Sequence, residues 1–195
     1  AGNTLDPSFL DSLLLFLPVK AYQEEAVIAL AHYGKDLLPF LKEKIEATDY
    51  PVELVRMAPA VVKRIDSQRS VEFLFELLDY EDTSVRLAAL RALNSLKIRF
   101  PHLRFNKKDV MRRVLEEAKL YLDTLSALYA QVRRSSVAGG EPPARTEARR
   151  RLVDLLERRL DGNLERIFRL LGLKYPPQDI INIYKGIQNK QPDLR

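Results

Sequence analysis

The chain has 195 residues, a net charge of +5 and no cysteine, which excludes disulfide frameworks, thiolate zinc sites and cysteine nucleophiles. The longest uninterrupted apolar stretch, Leu13 to Val19, is far shorter than the roughly 20 residues of a membrane-spanning helix. The sequence has two histidines and no glycine-rich phosphate loop, so it offers few groups for catalysis. We therefore predict no enzymatic activity, no cofactor and no metal site.

Helical periodicity dominates the first half of the chain, and no alternating pattern typical of β-strands accompanies it. Apolar residues recur at helical spacing, and Gly34 is expected to end the first of these segments. The predicted helices cover Gln23 to Tyr33, Lys35 to Ala47, a segment starting near Pro51, Ser70 to Tyr80, and Thr83 to Lys97. The sequence thus predicts an all-α fold.

These helices recur in pairs, because a shift of about 33 residues lays 36–41 over 69–74. Pairs of antiparallel helices with this period are typical of α-solenoids. The clearest unit, 82–93, resembles the opening helix of a HEAT repeat. We predict a HEAT/armadillo-like α-solenoid of antiparallel helix pairs, in which Asp82 caps the helix and Val85 and Arg86 have structural roles in the repeat.

The second half predicts longer elements. Asn106 is a plausible N-cap for a long helix to about Arg134, and a second long helix follows from about Arg145 to Leu171. Together they predict a long helical hairpin toward the C-terminus, and its first helix is expected to bury one apolar stripe. The stripe consists of Val110, Val114, Leu115, Ala118, Leu122, Leu125, Leu128 and Tyr129.

We predict one α-solenoid domain over 1–195, with five parts that differ in pattern. The segment 135–144 has the Gly, Ser and Pro composition of a flexible linker. The parts are HEAT-like pairs in 1–97, a connector and long helix in 98–134, the linker in 135–144, a long helix and a final helix in 145–188, and the start of a truncated repeat in 189–195.

Polar residues elsewhere do not form a catalytic pattern. The adjacent acids Glu24–Glu25 and Glu116–Glu117 would point about 100° apart on a helix, so neither pair could bracket one reacting bond. We interpret both pairs as facing solvent. His32 is interpreted as a polar residue at a helix end, and His102 lies in a connector among basic residues.

Positive charge is concentrated between Arg133 and Arg169, where ten arginines face six acids. Pairs at i and i+4 compensate part of it, namely Glu147–Arg151, Asp154–Arg158 and Glu165–Arg169. The arginines expected to have fewer such partners flank the linker and form a candidate partner surface: Arg133, Arg134, Arg145, Arg149 and Arg150. Such a segment fits either a solvated basic loop or binding of nucleic acid or an anionic surface.

The block Leu-Leu-Gly-Leu-Lys-Tyr-Pro-Pro at 170–177, within 163–180, and the preceding 119–123 carry a family resemblance. They resemble the HEAT segment of bacterial multidomain proteins with an ATP:ADP antiporter-like or major-facilitator-type transporter domain. Those proteins often also contain a cyclic-nucleotide-binding domain. The segment 191–195 resembles the start of one more repeat, so the chain is expected to continue in a parent protein.

The resemblance implies a cytoplasmic soluble domain attached to an inner-membrane protein, with no membrane insertion by this segment. The transporter would precede Ala1 and any nucleotide sensor would follow Arg195. The implied role is a non-catalytic interaction or regulatory domain. Its partners would be adjacent domains of the same parent chain or another protein, and nucleic acid remains the alternative partner.

Overall fold

A computed structural model describes residues 6–47, 50–137 and 143–189. These residues form nine α-helices and no β-strand, which confirms the all-α prediction for this part of the chain. The helices are α1 (Leu10–Phe16), α2 (Gln23–Ala31), α3 (Leu37–Glu46), α4 (Val52–Val62), α5 (Gln68–Glu76), α6 (Thr83–Arg99), α7 (Lys107–Val137), α8 (Pro143–Lys174) and α9 (Pro177–Asn189).

Gly34 and Pro39 lie at positions that suit their backbone preferences. Gly34 has φ 59°, in the left-handed region that favours glycine, and it lies between the end of α2 and the start of α3. Pro39 is in the first turn of α3, where the missing amide hydrogen removes no helical bond. Helix α1 was not predicted, because its seven residues are too few to show a clear helical period.

The chain divides between Phe105 and Asn106 into two compact units. In the first unit, α3 starts at Leu37 and α5 at Gln68, and α4 starts at Val52 and α6 at Thr83. Both displacements are 31 residues. Helix α2 packs on α4 and α4 on α6, while α3 packs on α5, and successive helices within each pair also touch.

The core of the first unit is aliphatic. Val55 and Val61 of α4 are fully buried, as are Val85 and Leu93 of α6, because these two helices face each other over much of their length. Their close approach is helped by Ala89 of α6, which has no accessible surface. The apolar spacing read from the sequence therefore marks real buried faces in this unit.

The connector that follows α6 is fastened to the start of α5. The Gln68 side chain donates from Nε2 to the Arg104 carbonyl oxygen at 2.9 Å and accepts from the Arg104 amide at 3.0 Å. Nearby, His102 Nε2 lies 2.8 Å from Asp66 Oδ1. Leu103, which lies between His102 and Arg104 in the sequence, is buried.

The second unit contains α7, α8 and α9. Asn106 accepts hydrogen bonds from the amides of Lys108 and Asp109, so it caps α7 as its residue type predicts. Helices α7 and α8 pack along their lengths as an antiparallel hairpin, and α9 packs on α8, where Tyr184 and Phe168 have ring centroids 5.1 Å apart. One solenoid domain over 1–195 stays a prediction.

The predicted linker 135–144 is wrong at both ends. Residues 135–137 belong to α7 and residues 143–144 to α8, because Pro143 can open a helix, where its fixed φ is favourable. The middle of the predicted linker, 138–142, lies outside the described residues. So does 190–195, which holds most of the predicted truncated repeat.

The predicted buried stripe of α7 is also wrong in part. Leu115, Leu122 and Tyr129 are 66%, 60% and 63% exposed, whereas Val110 and Val114 are buried. The stripe combines two faces of one helix, and the face that carries Val110 and Val114 also carries Glu117, which contacts Arg166 of α8. Helical spacing identified apolar residues but could not separate the two faces.

Candidate functional site

Side-chain hydrogen bonds cap the start of α6. Asp82 Oδ1 accepts hydrogen bonds from the amides of Ser84 at 2.7 Å and Val85 at 3.2 Å, and also from the Ser84 hydroxyl. Two of the four amides that a helix start leaves unbonded are thereby satisfied. Val85 is completely buried, so it anchors this first turn in the core.

Arg86 bonds to the turn between α5 and α6. Its Nη1 donates to the carbonyl oxygens of Tyr80 at 2.9 Å and Glu81 at 3.1 Å, and its Nη2 donates to Thr83 Oγ1 at 2.9 Å. These contacts join the end of one helix to the beginning of the next. Asp82, Val85 and Arg86 therefore take part in local structure at this turn.

Hydrogen bonding sets the charge state of the cap. The bond from the Ser84 hydroxyl, and then those from the Val85 and Ser84 amides, lower the pKa of Asp82 below its ordinary value. These donors favour the carboxylate over the acid, since a protonated carboxyl accepts less strongly. The cap consequently stays ionised to a lower pH than an ordinary aspartate does.

The candidate arginine surface lies at one end of the α7–α8 hairpin. Arg133 is near the end of α7, and Arg145, Arg149 and Arg150 are in the first two turns of α8. Arg133, Arg145 and Arg150 are exposed, and Arg149 is half-buried. Antiparallel packing brings the two helix ends together, while the Arg134 side chain lies outside the described part of the chain.

Several charges of this arginine-rich segment are compensated. Arg151 Nε lies 2.9 Å from Glu147 Oε1, and Arg169 Nε lies 2.8 Å from Glu165 Oε1, as the i and i+4 spacing predicts. Arg158 Nε instead donates to the Asp154 carbonyl oxygen at 3.2 Å. Arg133 and Arg149, two of the arginines expected to have fewer such partners, each take part in at least one further interaction.

A buried polar cluster joins α7 to α8. Arg166 Nε donates to Glu117 Oε1 at 2.9 Å, and Arg166 Nη2 donates to Asn163 Oδ1 at 3.1 Å. The side chains of Arg166 and Glu117 are only 11% and 17% exposed. Two atoms of the cluster, Glu117 Oε2 and Asn163 Nδ2, are buried without a hydrogen-bond partner.

The sequence patterns did not predict this cluster. Glu117 was expected to face solvent with Glu116, and that expectation is wrong because Glu117 lies on the face of α7 that meets α8. The available signal was its spacing of three residues from the buried Val114. Glu24, in contrast, is exposed and forms an ion pair with Arg64.

Neither histidine belongs to a cluster of potential metal ligands within the described residues. His32 is exposed directly after α2, and His102 contacts the Asp66 carboxylate in the connector described above. Within the described residues, no group of three or more histidine, aspartate or glutamate side chains is placed to hold a metal ion. The described residues also include exposed arginines at one end of the hairpin and exposed apolar residues on α7.

Comparison of the chain with protein-family models, curated proteins and solved structures finds no match. The resemblance of 163–180 to transporter-associated HEAT segments therefore stays a prediction. None of the helices in the described part of the chain combines the length and the apolar character that crossing a bilayer requires.

Proposed function

We propose that this chain is a non-catalytic helical-repeat domain that mediates protein–protein or interdomain contacts. Its sequence resembles the cytosolic HEAT portion of nucleotide-transporter-like membrane proteins. In that setting the domain would lie in the cytoplasm, attached to an inner-membrane protein. Its partners would be adjacent domains of the parent chain or another protein.

The alternating packing of the first unit is the observation that carries this proposal. The α3–α4 and α5–α6 pairs start 31 residues apart, and equivalent helices pack on each other, α4 on α6 and α3 on α5. In a solenoid each pair buries its apolar face against the next pair in this way. This supports a HEAT/armadillo-like solenoid, an architecture that offers extended binding surfaces.

Site-specific photo-cross-linking tests the interaction role directly. Leu15 and Ile98 are 69% and 61% exposed, and exposed large apolar side chains are suitable places for a photoreactive residue. In cells that produce the full-length parent protein, we expect covalent adducts with a protein at one or both positions. Glu43, an exposed polar position on α3, is the matched control. Failure to form adducts, or the same adducts at Glu43, would contradict the proposal.

Thermal unfolding with added ligands tests the non-catalytic part of the proposal. A ligand that binds only the folded state stabilises it, by about 2.7 kcal/mol at a hundredfold excess over Kd. We expect ATP and a cyclic nucleotide to leave the unfolding midpoint unchanged. A stabilisation specific to one nucleotide would reveal a ligand site and overturn this reading.

The second candidate function is binding of nucleic acid or an anionic surface through 133–169. The observation that favours it is the position of Arg133, Arg145, Arg149 and Arg150 at one end of the hairpin. A duplex-binding protein would lose affinity steeply between about 50 and 200 mM salt, because counterions are released on binding.

Fluorescence anisotropy with a short DNA duplex tests that alternative. The triple change Arg145→Ala, Arg149→Ala and Arg150→Ala should abolish salt-sensitive binding if the hairpin end is the site. The control is the double change Arg158→Ala and Arg159→Ala, because these two arginines are exposed on the same helix but lie away from its start. Absence of binding by the unaltered chain would leave the protein-interaction role as the better reading.

A further inference from the structure

Helix α7 carries two apolar faces. The face toward α8 contains Val110, Val114, Glu117, Tyr121, Thr124 and Leu128, which are buried or half-buried. A second row, which we name the outer stripe, consists of Leu115, Ala118, Leu122, Leu125, Tyr129 and Val132. Each of these directly follows a residue of the first row, except Val132, which follows the half-buried Gln131. Both rows follow alternating steps of three and four residues, and a step of one residue separates them by about 100°.

Four of the six residues of the outer stripe are exposed, and Ala118 and Leu125 are half-buried. Leu115, Leu122, Tyr129 and Val132 are 66%, 60%, 63% and 51% exposed. From Leu115 to Val132 the helix rises about 26 Å. Single exposed apolar residues are ordinary, but an aligned row on one helix indicates an interaction site.

An acidic row of α8 lies on the same side of the hairpin. Antiparallel helices are related by a two-fold axis normal to their common plane, so residues that follow contact positions lie on the same side in both helices. In α8 the contact-facing residues include Val153, Leu156 and Leu160, which are half-buried. The residues that follow them are Asp154, Glu157 and Asp161, and all three are exposed.

Helix α9 packs on α8 near the end of the acidic row. Its Tyr184 contacts Phe168 of α8, and the two ring centroids are 5.1 Å apart. Burial, followed by the nearby carboxylates of Glu165 and Asp161, raises the pKa of Tyr184, and Asp161 is the last residue of the acidic row. Helix α9 therefore shows that α8 accepts a further helix beside its seam with α7.

We propose that the outer stripe and the acidic row of α8 form a docking site for one amphipathic helix of a partner protein. The partner helix would place aliphatic residues on the outer stripe and lysine or arginine residues beside Asp154, Glu157 and Asp161. This rests on the proposed interaction role and names the partner's chemistry. A second copy of this chain fits less well, because a copy packed antiparallel on the stripe would bring its own acidic row against this one.

A pair of designed peptides tests the site on the full chain. Each is a fluorescent amphipathic helix of about 20 residues with leucine at heptad positions, and one edge carries lysine in the first peptide and glutamate in the second. We expect the lysine peptide to bind more tightly. The double change Leu122→Gln and Tyr129→Gln should weaken it at least about tenfold, because it removes exposed apolar contact area without touching the core.

Two further variants distinguish binding at the outer stripe from nonspecific hydrophobic binding. Leu155→Gln alters an equally exposed leucine, 58% exposed, on the opposite side of α8, and should leave binding unchanged. Asp154→Lys with Glu157→Lys should reverse the preference toward the glutamate peptide. Equal binding of both peptides to every variant would overturn the proposal.

Sedimentation equilibrium tests whether a second copy of the chain occupies the outer stripe. If the chain forms a dimer and Leu122→Gln makes that dimer dissociate, the stripe binds a second copy and the partner-helix proposal is overturned. The interaction role itself has a separate readout. Cross-links at Leu15 or Ile98 without peptide binding would remove the docking site while the proposed function stands.

Discussion

The two units bury different kinds of side chain. Of the twelve largest fully buried side chains in the described residues, eleven lie in the first unit and only Leu173 lies in the second. The buried apolar residues of the second unit are Val110, Val114, Leu170, Leu173 and Ile180. It also buries polar groups, among them Asn163 and Arg166.

This difference follows from helix length and number. The six helices of the first unit are shorter and pack on one another in several pairs, among them α2 on α4, α4 on α6 and α5 on α6, so their apolar faces meet in a largely aliphatic core. The second unit has two long helices that share one seam, and α9 packs on α8. A hairpin of this kind leaves apolar residues outside, and the polar pair inside it can fix which residues lie opposite each other.

Removing one partner of the buried pair should have the largest effect. Arg166→Met leaves Glu117 with a buried carboxylate and no cation beside it. We expect a loss of about 3–5 kcal/mol in the free energy of unfolding, measured by urea denaturation. This variant tests whether the second unit depends on its polar seam.

The matched double variant sharpens the result. Arg166→Met with Glu117→Leu removes both charges, and replacing a buried pair with apolar residues is often neutral or stabilising. We expect it to recover most of the loss caused by Arg166→Met alone. If the double variant is as unstable as the single one, the pair contributes through packing and not through charge.

A core truncation tests the aliphatic first unit. Leu93 of α6 has no accessible surface, so Leu93→Ala removes apolar contacts and leaves a cavity. We expect a loss of about 2–5 kcal/mol in the free energy of unfolding. The same truncation at Leu122, which is 60% exposed, should lower the free energy of unfolding far less. Equal losses at the two positions would contradict the link between burial and stability.

The cap of α6 predicts a smaller effect with a defined pH dependence. The folded state lowers the pKa of Asp82, so its stabilisation is present above the unfolded pKa of about 3.9 and is lost as the pH falls through the folded value. We expect Asp82→Ala to lower the unfolding midpoint by a few degrees at pH 7. The difference should shrink in acid.

Asp82→Asn separates capping from charge in that experiment. Asparagine keeps an oxygen that accepts from the helix amides, but it does not titrate. The variant should remain close to the wild type at pH 7 and lose the acid-dependent part. A full loss of stability at pH 7 would show that the carboxylate charge matters more than the cap.

The smallest effect is expected at the exposed pair on α8. Glu147→Gln breaks the ion pair with Arg151, whose side chain is 77% exposed. Exposed pairs at i and i+4 contribute about 0.2–0.5 kcal/mol. Thermal unfolding at low and high salt should show a difference that salt removes, and a larger effect would mean that the hairpin end is less solvated than its exposure indicates.

Local patterns predicted the helices and the cap well. The helices near 23–33, 35–47 and 83–97 and the Asp82 cap follow from periodicity and N-cap chemistry, which act within a few residues. The polar pair of Glu117 and Arg166 joins residues 49 positions apart, so no local pattern shows it. Likewise, the exposure of Leu122 depends on which face α8 covers, and that is a property of the packed hairpin.

The hydrogen bonds at the connector have a consequence for proteolysis. Arg104 is exposed and lies in a segment without helix. Trypsin cleaves the peptide bond after such an arginine first. Its backbone amide and carbonyl groups are nevertheless both bonded to the Gln68 side chain. A protease must bind an extended backbone, so both bonds have to break before it can act here. We therefore expect trypsin to cleave after Arg104 only when this part of the first unit opens.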